Sequence, residues 1–200
     1  MTGVNTRQLR KEETRARIAA AALELFAERG FERVSVAEVA AAAGVTEKTV
    51  FNHFATKEDL VYFEDQAFED ALLGAVRDRG AGTPVLVALR GFFLEAYARG
   101  AQRRATTLAE LLASSAALRV REREILARYA DRLAEELGAR PGDLRPAVVA
   151  TAVIGVHQAV IAGYREGLLA REPAAALDRR MLAAAGEAFD LLADGLAGFG

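Results

Sequence analysis

The chain has 200 residues, of which 52% are hydrophobic and 27% charged, and its formal net charge at pH 7 is −2. Cysteine is absent, which excludes disulfides, thiolate metal sites and thiol chemistry. The two histidines, His53 and His157, are too few for a histidine-rich metal cluster, and the charged N-terminus lacks the apolar stretch of a signal peptide. The length allows one large domain or two smaller ones, each with its own core.

The first predicted helix covers residues 14–29, with a core stripe of Ile18, Ala22, Leu25 and Phe26. Gly30 follows at the position where a left-handed residue often ends a helix. Ahead of this helix lies a basic arm, residues 7–17, which contains Arg7, Arg10, Lys11, Arg15 and Arg17. The arm is either a solvated tail or helix face, or a segment that reaches phosphates or the minor groove of DNA.

The next two predicted helices, residues 35–43 and 46–53, are short and are joined by a tight turn at Gly44. Ser35 and Glu38 form the capping box that starts one helix, and Thr46 is the N-cap of the other. Val50 and Phe54 lie one turn apart and are predicted to face the core. This spacing predicts a helix-turn-helix, which places its second helix in the major groove of DNA.

The rest of the chain is predicted to be helical as well, so the fold class is all-α. Six further helices are predicted at residues 56–79, 83–99, 102–114, 116–137, 144–169 and 174–196. In the fourth helix the inward residues are expected to be Leu60, Phe63, Ala67, Leu72 and Val76. The prolines, at positions 84, 141, 146 and 173, are compatible with helix starts and loops.

The eighth helix is unusually apolar, because residues 147–164 carry no formal charge. Its length is marginal for a membrane span, and a helix buried on all sides in a bundle or dimer interface fits it better. Two stripes on the eighth and ninth helices are expected to build a four-helix dimer interface. These stripes comprise Val149, Val153, Val156, Val160 and Tyr164, and Leu177, Met181, Ala184, Ala188 and Leu191.

Residues 14–60, TRARIAAAALELFAERGFERVSVAEVAAAAGVTEKTVFNHFATKEDL, resemble the DNA-binding domain of bacterial TetR-type transcriptional regulators. The resemblance implies a helix-turn-helix domain at residues 1–55 and a ligand-binding and dimerisation domain at residues 56–200. It also implies a cytoplasmic homodimer that binds a palindromic DNA operator and a small-molecule effector. The C-terminal half is similar, more weakly, to the mycofactocin-regulator group of this family.

The resemblance assigns DNA-binding roles to Ser35, Thr46, Glu47, Lys48, Thr49, Phe51, Asn52, His53 and Lys57. The helical pattern turns Glu47, Lys48 and Phe51 outward. Lysine can donate to guanine and glutamate can accept from cytosine, whereas Thr49, His53 and Lys57 match phosphate-binding positions of the family. Phe51 stands where the family often has tyrosine, so one hydroxyl donor to phosphate is absent, and Ala55 stands where proline is frequent.

The predicted effector site lies in the C-terminal helices, lined by Phe68, Phe93, Tyr97, Tyr129 and His157. For each of the four aromatic side chains the pattern favours ordinary core packing over a ligand contact, and His157 fits a hydrogen-bonded core or interface position at least as well as a ligand contact. Because few charges are available inside, the expected effector is lipophilic, and the mycofactocin-group similarity suggests an acyl thioester.

Together these features predict a ligand-responsive repressor that a small lipophilic effector releases from DNA. The alternative is a helical ligand-binding module of the same fold without regulated DNA binding. An enzyme is not expected, because the sequence shows no nucleophile–base pair, metal cluster or glycine-rich phosphate loop. No cofactor, no metal and no membrane partner are expected.

Overall fold

The computed structural model describes residues 6–98 and 102–195, with the backbone alone for residues 102–104. Within these ranges it contains nine α-helices and one 3-10 helix, Glu58–Leu60, which lies between α3 and α4. The α-helices are α1 (Thr6–Arg29), α2 (Val36–Ala42), α3 (Glu47–His53), α4 (Asp65–Arg77), α5 (Val85–Ala98), α6 (Gln102–Ser114), α7 (Ala116–Glu136), α8 (Arg145–Leu169) and α9 (Ala174–Gly195). The predicted all-α fold is confirmed. Gly100, predicted to separate α5 from α6, lies outside the described residues.

Packing divides the chain into two compact units. The head unit consists of Met1–Asp65 together with Glu110–Arg121, and the body unit consists of Gln66–Ala109 and Glu122–Gly200. The α6–α7 corner therefore packs with the head although it lies about fifty residues further along the chain. The domain boundary between residues 55 and 56 stays a prediction.

The head is built around the apolar face of α1. Ile18, Ala22 and Phe26 are fully buried there, and Phe26 meets Phe31 edge-on at 5.1 Å between ring centroids. The helix begins at Thr6 and not at residue 14, so the described part of the predicted basic arm is helical. Arg, Gln, Leu, Lys and Glu are good helix formers, and the Gln8 amide donates to Glu12 one turn on at 2.9 Å.

The predicted fourth helix is two elements instead of one. Thr56 and Asp59 exchange reciprocal bonds, from the Thr56 N–H to Asp59 Oδ2 at 3.0 Å and from the Asp59 N–H to Thr56 Oγ1 at 3.3 Å. These bonds favour a short 3-10 turn over Glu58–Leu60, and α4 begins only at Asp65. Because the register differs, Ala67 is exposed, contrary to expectation.

The body packs α8 and α5 against α9. Its α8–α9 contact contains a cluster of buried Val160, Leu177, Met181 and Ala185. Half of the two stripes predicted for the dimer interface is therefore core of the single chain, since Val149, Val153, Val160, Leu177 and Met181 are all buried. For these five residues the prediction was wrong, because apolar periodicity does not say whether a face meets the same chain or a second copy. A dimer interface formed by α8 and α9 stays a prediction.

The opposite face of α8 is exposed and built mostly of small side chains. It comprises Val148, Thr151, Gly155, Ala159 and Ala162. By length and composition alone, α8 could cross a membrane, yet a third of its most apolar 18-residue window is buried in the chain. Within the single chain, then, α8 is not buried on all sides. The absence of a membrane partner stays a prediction.

Candidate nucleic-acid interface and aromatic cluster

The helix-turn-helix begins at the predicted capping box. Ser35 Oγ accepts from the Glu38 N–H at 3.3 Å, and the Ser35 N–H donates to Glu38 Oε2 at 2.8 Å. This backbone donor, helped by the Arg29 guanidinium at 2.7 Å, lowers the pKa of Glu38 to about 2. Ser35 and Glu38 thus fix the start of α2, and the hydroxyl of Ser35 is engaged within the protein.

A tight turn joins α2 to α3. Gly44 has φ +65°, a conformation that glycine adopts without steric strain, and the Val45 N–H closes the turn onto the Ala40 carbonyl at 2.9 Å. Thr46 is the N-cap of α3, and its Oγ1 accepts from the Thr49 N–H at 3.2 Å. The Oγ1 atoms of Thr46 and Thr49 lie 2.9 Å apart, so both hydroxyls take part in the cap.

The two faces of α3 differ sharply in burial. Val50 and Phe54 are 1% and 2% exposed and anchor the helix to the head, as their spacing predicts. On the other face Glu47, Lys48 and Asn52 are exposed, and Phe51 presents 53% of its surface. A half-exposed phenylalanine between polar and charged side chains is an apolar contact surface that the described head does not cover.

His53, the last residue of α3, is half-buried. Its Nδ1 atom is buried and has no hydrogen-bond partner in the described structure. Burial lowers the pKa of His53, and the nearby charges of Lys11 and Arg15 lower it further. The imidazole is therefore held toward its neutral form, which donates less strongly to a phosphate than an imidazolium does.

Lys57 has a structural role in the head. Its Nζ donates to the Phe31 carbonyl at 2.5 Å and lies 4.2 Å from the centroid of the Phe31 ring. Burial lowers the pKa of this lysine, against the opposing effect of Glu32, Glu58 and Glu38. The ammonium has three donors, so one bond to Phe31 leaves room for another acceptor. The phosphate contact of Lys57 stays a prediction.

The five residues predicted to line an effector site come together in the body unit. Phe68 of α4 lies 5.5 Å from Tyr129 of α7 and stacks on His157 of α8 at 5.2 Å, measured between ring centroids. Phe93 of α5 lies 5.0 Å from His157, and the Tyr97 hydroxyl is 2.9 Å from His157 Nδ1. We call Phe68, Phe93, Tyr97, Tyr129 and His157 the aromatic cluster.

The aromatic cluster has one polar pair inside an apolar setting. Burial lowers the pKa of His157 to about 4 and raises that of Tyr97, so both are neutral at pH 7. The rings are in ordinary packing contact. The surface depression formed by residues 79–85 contains none of the five. Whether the cluster binds an effector stays a prediction.

Sequence reasoning missed several neighbours of these sites. Phe92 and Phe189 extend the aromatic cluster, with Phe189 stacked on Phe93 at 5.5 Å. Glu69, which is 5% exposed, accepts from Arg128 Nε at 2.6 Å and so forms a partly buried ion pair between α4 and α7. Phe189 could have been found from its place on the apolar face of α9. The pairing of Glu69 with Arg128 could not, because nothing in the sequence links two residues that lie 59 positions apart.

The same features occur in known proteins. Residues 18–62 match the family model described as bacterial regulatory proteins, tetR family. The chain is 37% identical over 91 residues to the HTH-type transcriptional regulator TcmR of Streptomyces glaucescens, which covers 46% of this chain and 40% of that protein. It is 29% identical over 196 residues to MftR of Mycobacterium tuberculosis, a candidate mycofactocin biosynthesis regulator, across 94% of this chain and 93% of that protein.

Solved structures with the same fold include two regulators. NalD, the secondary repressor of the MexAB-OprM efflux pump in Pseudomonas aeruginosa, is 23% identical with a TM-score of 0.58, covering 90% of this chain and 96% of that chain. FadR from Bacillus subtilis, solved with stearoyl-CoA, is 19% identical with a TM-score of 0.57, covering 90% and 98%. At these identities the likeness shows the fold alone.

These observations define the class of protein. It is a helical protein with a capped helix-turn-helix near its N-terminus and a second, helical unit. Residues 18–62 match the tetR family of bacterial regulatory proteins, and over most of its length the chain is similar to transcriptional regulators. The resemblance found in the sequence, including the weaker one to the mycofactocin-regulator group, is confirmed, and the relatives that the chain matches are named as transcriptional regulators, in agreement with the expectation that it is not an enzyme.

Proposed function

We propose that the chain is a homodimeric, cytoplasmic repressor that reads a pseudo-palindromic operator through α3 and is released by a lipophilic effector bound in the body unit. The observation that carries this proposal is the two-faced α3. Val50 and Phe54 fix the helix to the head, while Glu47, Lys48 and Phe51 face outward. An anchored helix with an exposed polar and apolar face is what direct readout in the major groove requires.

The proposed base contacts follow from chemistry. Lys48 donates to guanine acceptors, Glu47 accepts from cytosine N4, and the Phe51 ring packs on a thymine methyl group. Ser35, Thr46, Thr49, Asn52, His53 and Lys57 are proposed to position the head on the DNA backbone, as the family resemblance implies. The hydroxyls of Thr46 and Thr49 hold the N-terminus of α3, where backbone N–H groups and the helix dipole favour phosphate.

The proposed dimer uses the exposed face of α8 together with Ala184 and Leu191 of α9, the latter 75% exposed. Small side chains on α8, such as Gly155 and Ala159, allow two helices to approach closely. A two-fold dimer explains how a helix of seven residues gains specificity, because two copies read two half-sites about 34–36 Å apart.

The proposed effector site is the aromatic cluster. Its rings already pack on each other, so an effector must separate them, which shifts α4, α5, α7 or α8 inside the body. Such a shift releases DNA only if the effector binds the DNA-free packing more tightly than the DNA-bound packing. A cluster of apolar rings with one Tyr97–His157 pair favours a lipophilic effector with at most one or two polar groups.

Selection of bound duplexes from a random DNA library, read by sequencing, tests the DNA-binding part. Wild type is compared with Lys48→Ala and with Arg123→Ala, a matched loss of one positive charge at an exposed position of α7. We expect a pseudo-palindromic site enriched by wild type and by Arg123→Ala, and lost or altered with Lys48→Ala. Absence of any enriched site, at every salt concentration, rules the proposal out.

Release of the selected duplex on addition of stearoyl-CoA tests the effector class, with coenzyme A that lacks the acyl chain as the control. We choose this acyl thioester because of the similarity to MftR and the ligand in the FadR structure. Release by stearoyl-CoA alone supports a lipophilic acyl effector. Equal release by both compounds, or by neither, argues against it.

The second candidate function is a ligand-binding module without regulated DNA binding. Two observations favour it: the net charge of −2, and the engagement of Lys57 by the Phe31 carbonyl in place of a free orientation toward DNA. The selection experiment separates the two functions, because the module enriches no sequence.

A further inference from the structure

Arg15 lies in the middle of α1 and reaches three other parts of the head unit at once. Its Nη1 donates to the His53 carbonyl, and its Nη2 donates to the Phe63 carbonyl at 3.3 Å. Its guanidinium carbon lies 4.3 Å from the centroid of the Phe54 ring. These partners are 38 to 48 residues away along the chain, so the contacts are tertiary and not part of the folding of α1 itself.

The first contact bears on the recognition helix. His53 is the last residue of α3, and the carbonyls at a helix C-terminus have no partner inside the helix. A cation that donates to such a carbonyl satisfies it and interacts favourably with the negative end of the helix dipole. At seven residues α3 is too short to be stable alone, so its position depends on tertiary contacts of this kind.

The second contact bears on the segment that leads into α4. Phe63 precedes Asp65, the first residue of α4, and its carbonyl is bound by the other arm of the same guanidinium. The planar fork of arginine presents its donors at a fixed separation, which a lysine cannot reproduce. One side chain therefore sets the distance between the end of α3 and the start of α4.

These contacts also commit the charge of Arg15 to the protein. The side chain is half-buried, with Phe54, which is 2% exposed, beneath its guanidinium. Arg17, two residues further along the same helix, is exposed. The basic stretch that the sequence offers as a phosphate-binding arm thus contains at least one arginine with a different task.

We propose that Arg15 is a positioning residue of the recognition helix: it fixes the C-terminal end of α3 against the start of α4 through the His53 and Phe63 carbonyls and does not contact DNA. The proposal rests on the proposed DNA-binding function. In this role the contacts of Arg15 set the angle at which α3 meets the major groove.

Equilibrium binding to two duplexes tests this role: the site recovered by the library selection and a scrambled duplex of the same composition. The variants are Arg15→Gln, Arg15→Lys and the control Arg123→Gln, which removes one positive charge at an exposed position of α7 and should bind both duplexes as wild type does. A stoichiometric titration gives the active fraction of each protein, and amide hydrogen exchange compares α3 with α2.

For Arg15→Gln we expect the affinity for the selected duplex to fall about tenfold or more, since two hydrogen bonds from a charged donor are removed. Binding to the scrambled duplex and the slope of log K against log salt stay as in wild type, because no phosphate contact is lost. Exchange rises in α3 and not in α2, and Arg15→Lys, which can reach one carbonyl but not both, gives a smaller loss.

Three results overturn the proposal. Equal weakening on both duplexes with a salt slope lower by roughly one identifies a phosphate contact instead. A lower active fraction with unchanged affinity of the folded protein identifies a folding role. Wild-type affinity in Arg15→Gln shows that the side chain has no role in binding. If wild type itself does not distinguish the two duplexes, the proposed function fails first and takes this inference with it.

Discussion

Under the proposed function, the exposed side chain of Phe51 limits which bases the operator can present to α3. Its ring is 53% exposed on the face of α3 that also presents Glu47 and Lys48. It lacks the hydroxyl of a tyrosine, so the DNA partner it fits is apolar. The one apolar group on a base edge in the major groove is the thymine methyl.

We predict that replacing thymine by uracil at one position of each selected half-site weakens wild-type binding. Removing one buried methyl group costs about 0.8 kcal/mol, roughly fourfold in affinity per half-site. Phe51→Ala should bind more weakly and be insensitive to the same replacement, whereas the control Arg123→Ala keeps both the affinity and the sensitivity of wild type. Titration of duplexes with single thymine-to-uracil changes measures these affinities. Unchanged affinity of wild type at every thymine position would contradict the prediction.

His157 makes the stability of the protein sensitive to mild acid. Its pKa is lowered from 6.5 to about 4 by burial in the aromatic cluster. The unfolded chain therefore takes up a proton below pH 6.5 while the folded chain resists protonation until about pH 4. This contribution to stability is fully present above pH 6.5 and is lost as the pH falls from 6.5 toward 4.

We predict that the free energy of unfolding of wild type falls more steeply than that of His157→Gln between pH 6.5 and 4.5. The difference in slope is at most about 1.4 kcal/mol per pH unit. Urea unfolding at fixed protein concentration measures it, and subtracting the two curves removes the shared contribution of His53, whose pKa is also lowered. Parallel curves across this range would show that His157 is not held neutral.

At the residue scale, the sequence predicted what periodicity controls. The spacing of Val50 and Phe54 correctly assigned the buried face of α3, and the Ser35–Glu38 box correctly assigned the start of α2. The contacts of Arg15 could not be predicted, because a guanidinium bound to backbone carbonyls leaves no trace in the identity of its partners. The five candidate effector-site residues lie together because each ring lies on the apolar face of its helix, and their binding of an effector stays a prediction.

Two glycines of α8 lie against side chains of α9 in the body. A methyl group on Gly163 would lie 2.6 Å from Met181 Cε, and one on Gly167 would lie 2.4 Å from Leu177 Cδ1. Leu177 is 1% exposed and belongs to the α8–α9 core, so it has little room to move. Close approach of α8 and α9 therefore requires glycine at Gly167, whereas at Gly163 the flexible end of Met181 can shift to make room for a methyl group.

We predict that Gly167→Ala destabilises the protein by about 1–3 kcal/mol through overpacking. The control is Gly91→Ala in α5, where a new methyl group meets nothing within 4 Å. That change should stabilise the protein by about 0.5–1 kcal/mol, because glycine is a poor helix residue. Urea unfolding of both variants measures the change in the free energy of unfolding, which we expect to be negative for Gly167→Ala and positive for Gly91→Ala. The same sign in both variants would contradict the packing described for α8 and α9.

The helix boundaries show where local sequence signals are sufficient to predict the start or end of a helix. The sixth helix was predicted at its observed limits, because Gln102 and Ser114 lie next to clear breaks in apolar periodicity. The start of α1 was missed, since its first turns carry no apolar stripe and are held by local bonds such as Gln8 to Glu12. The 3-10 turn after α3 was missed because Thr56 and Asp59 also fit the start of an α-helix.

At the scale of the whole molecule, the net charge is −2, and some basic residues of the head bind groups of the protein itself. Arg15 binds backbone carbonyls and Lys57 binds the Phe31 carbonyl. Under the proposed function we therefore expect electrostatic attraction to DNA to be confined to a small surface, and specificity to depend on contacts of α3 in two copies of the chain. The dimer and the operator symmetry are linked parts of one hypothesis.

Binding of duplexes in which the centre of the selected site is lengthened tests this central claim most directly. An insertion of roughly five base pairs rotates one half-site by half a helical turn relative to the other. The account predicts that affinity for the lengthened duplex falls to that for a scrambled duplex, while the original site binds on the order of a thousandfold more tightly. Equal affinity for the original, lengthened and scrambled duplexes would contradict a dimer that reads DNA through α3.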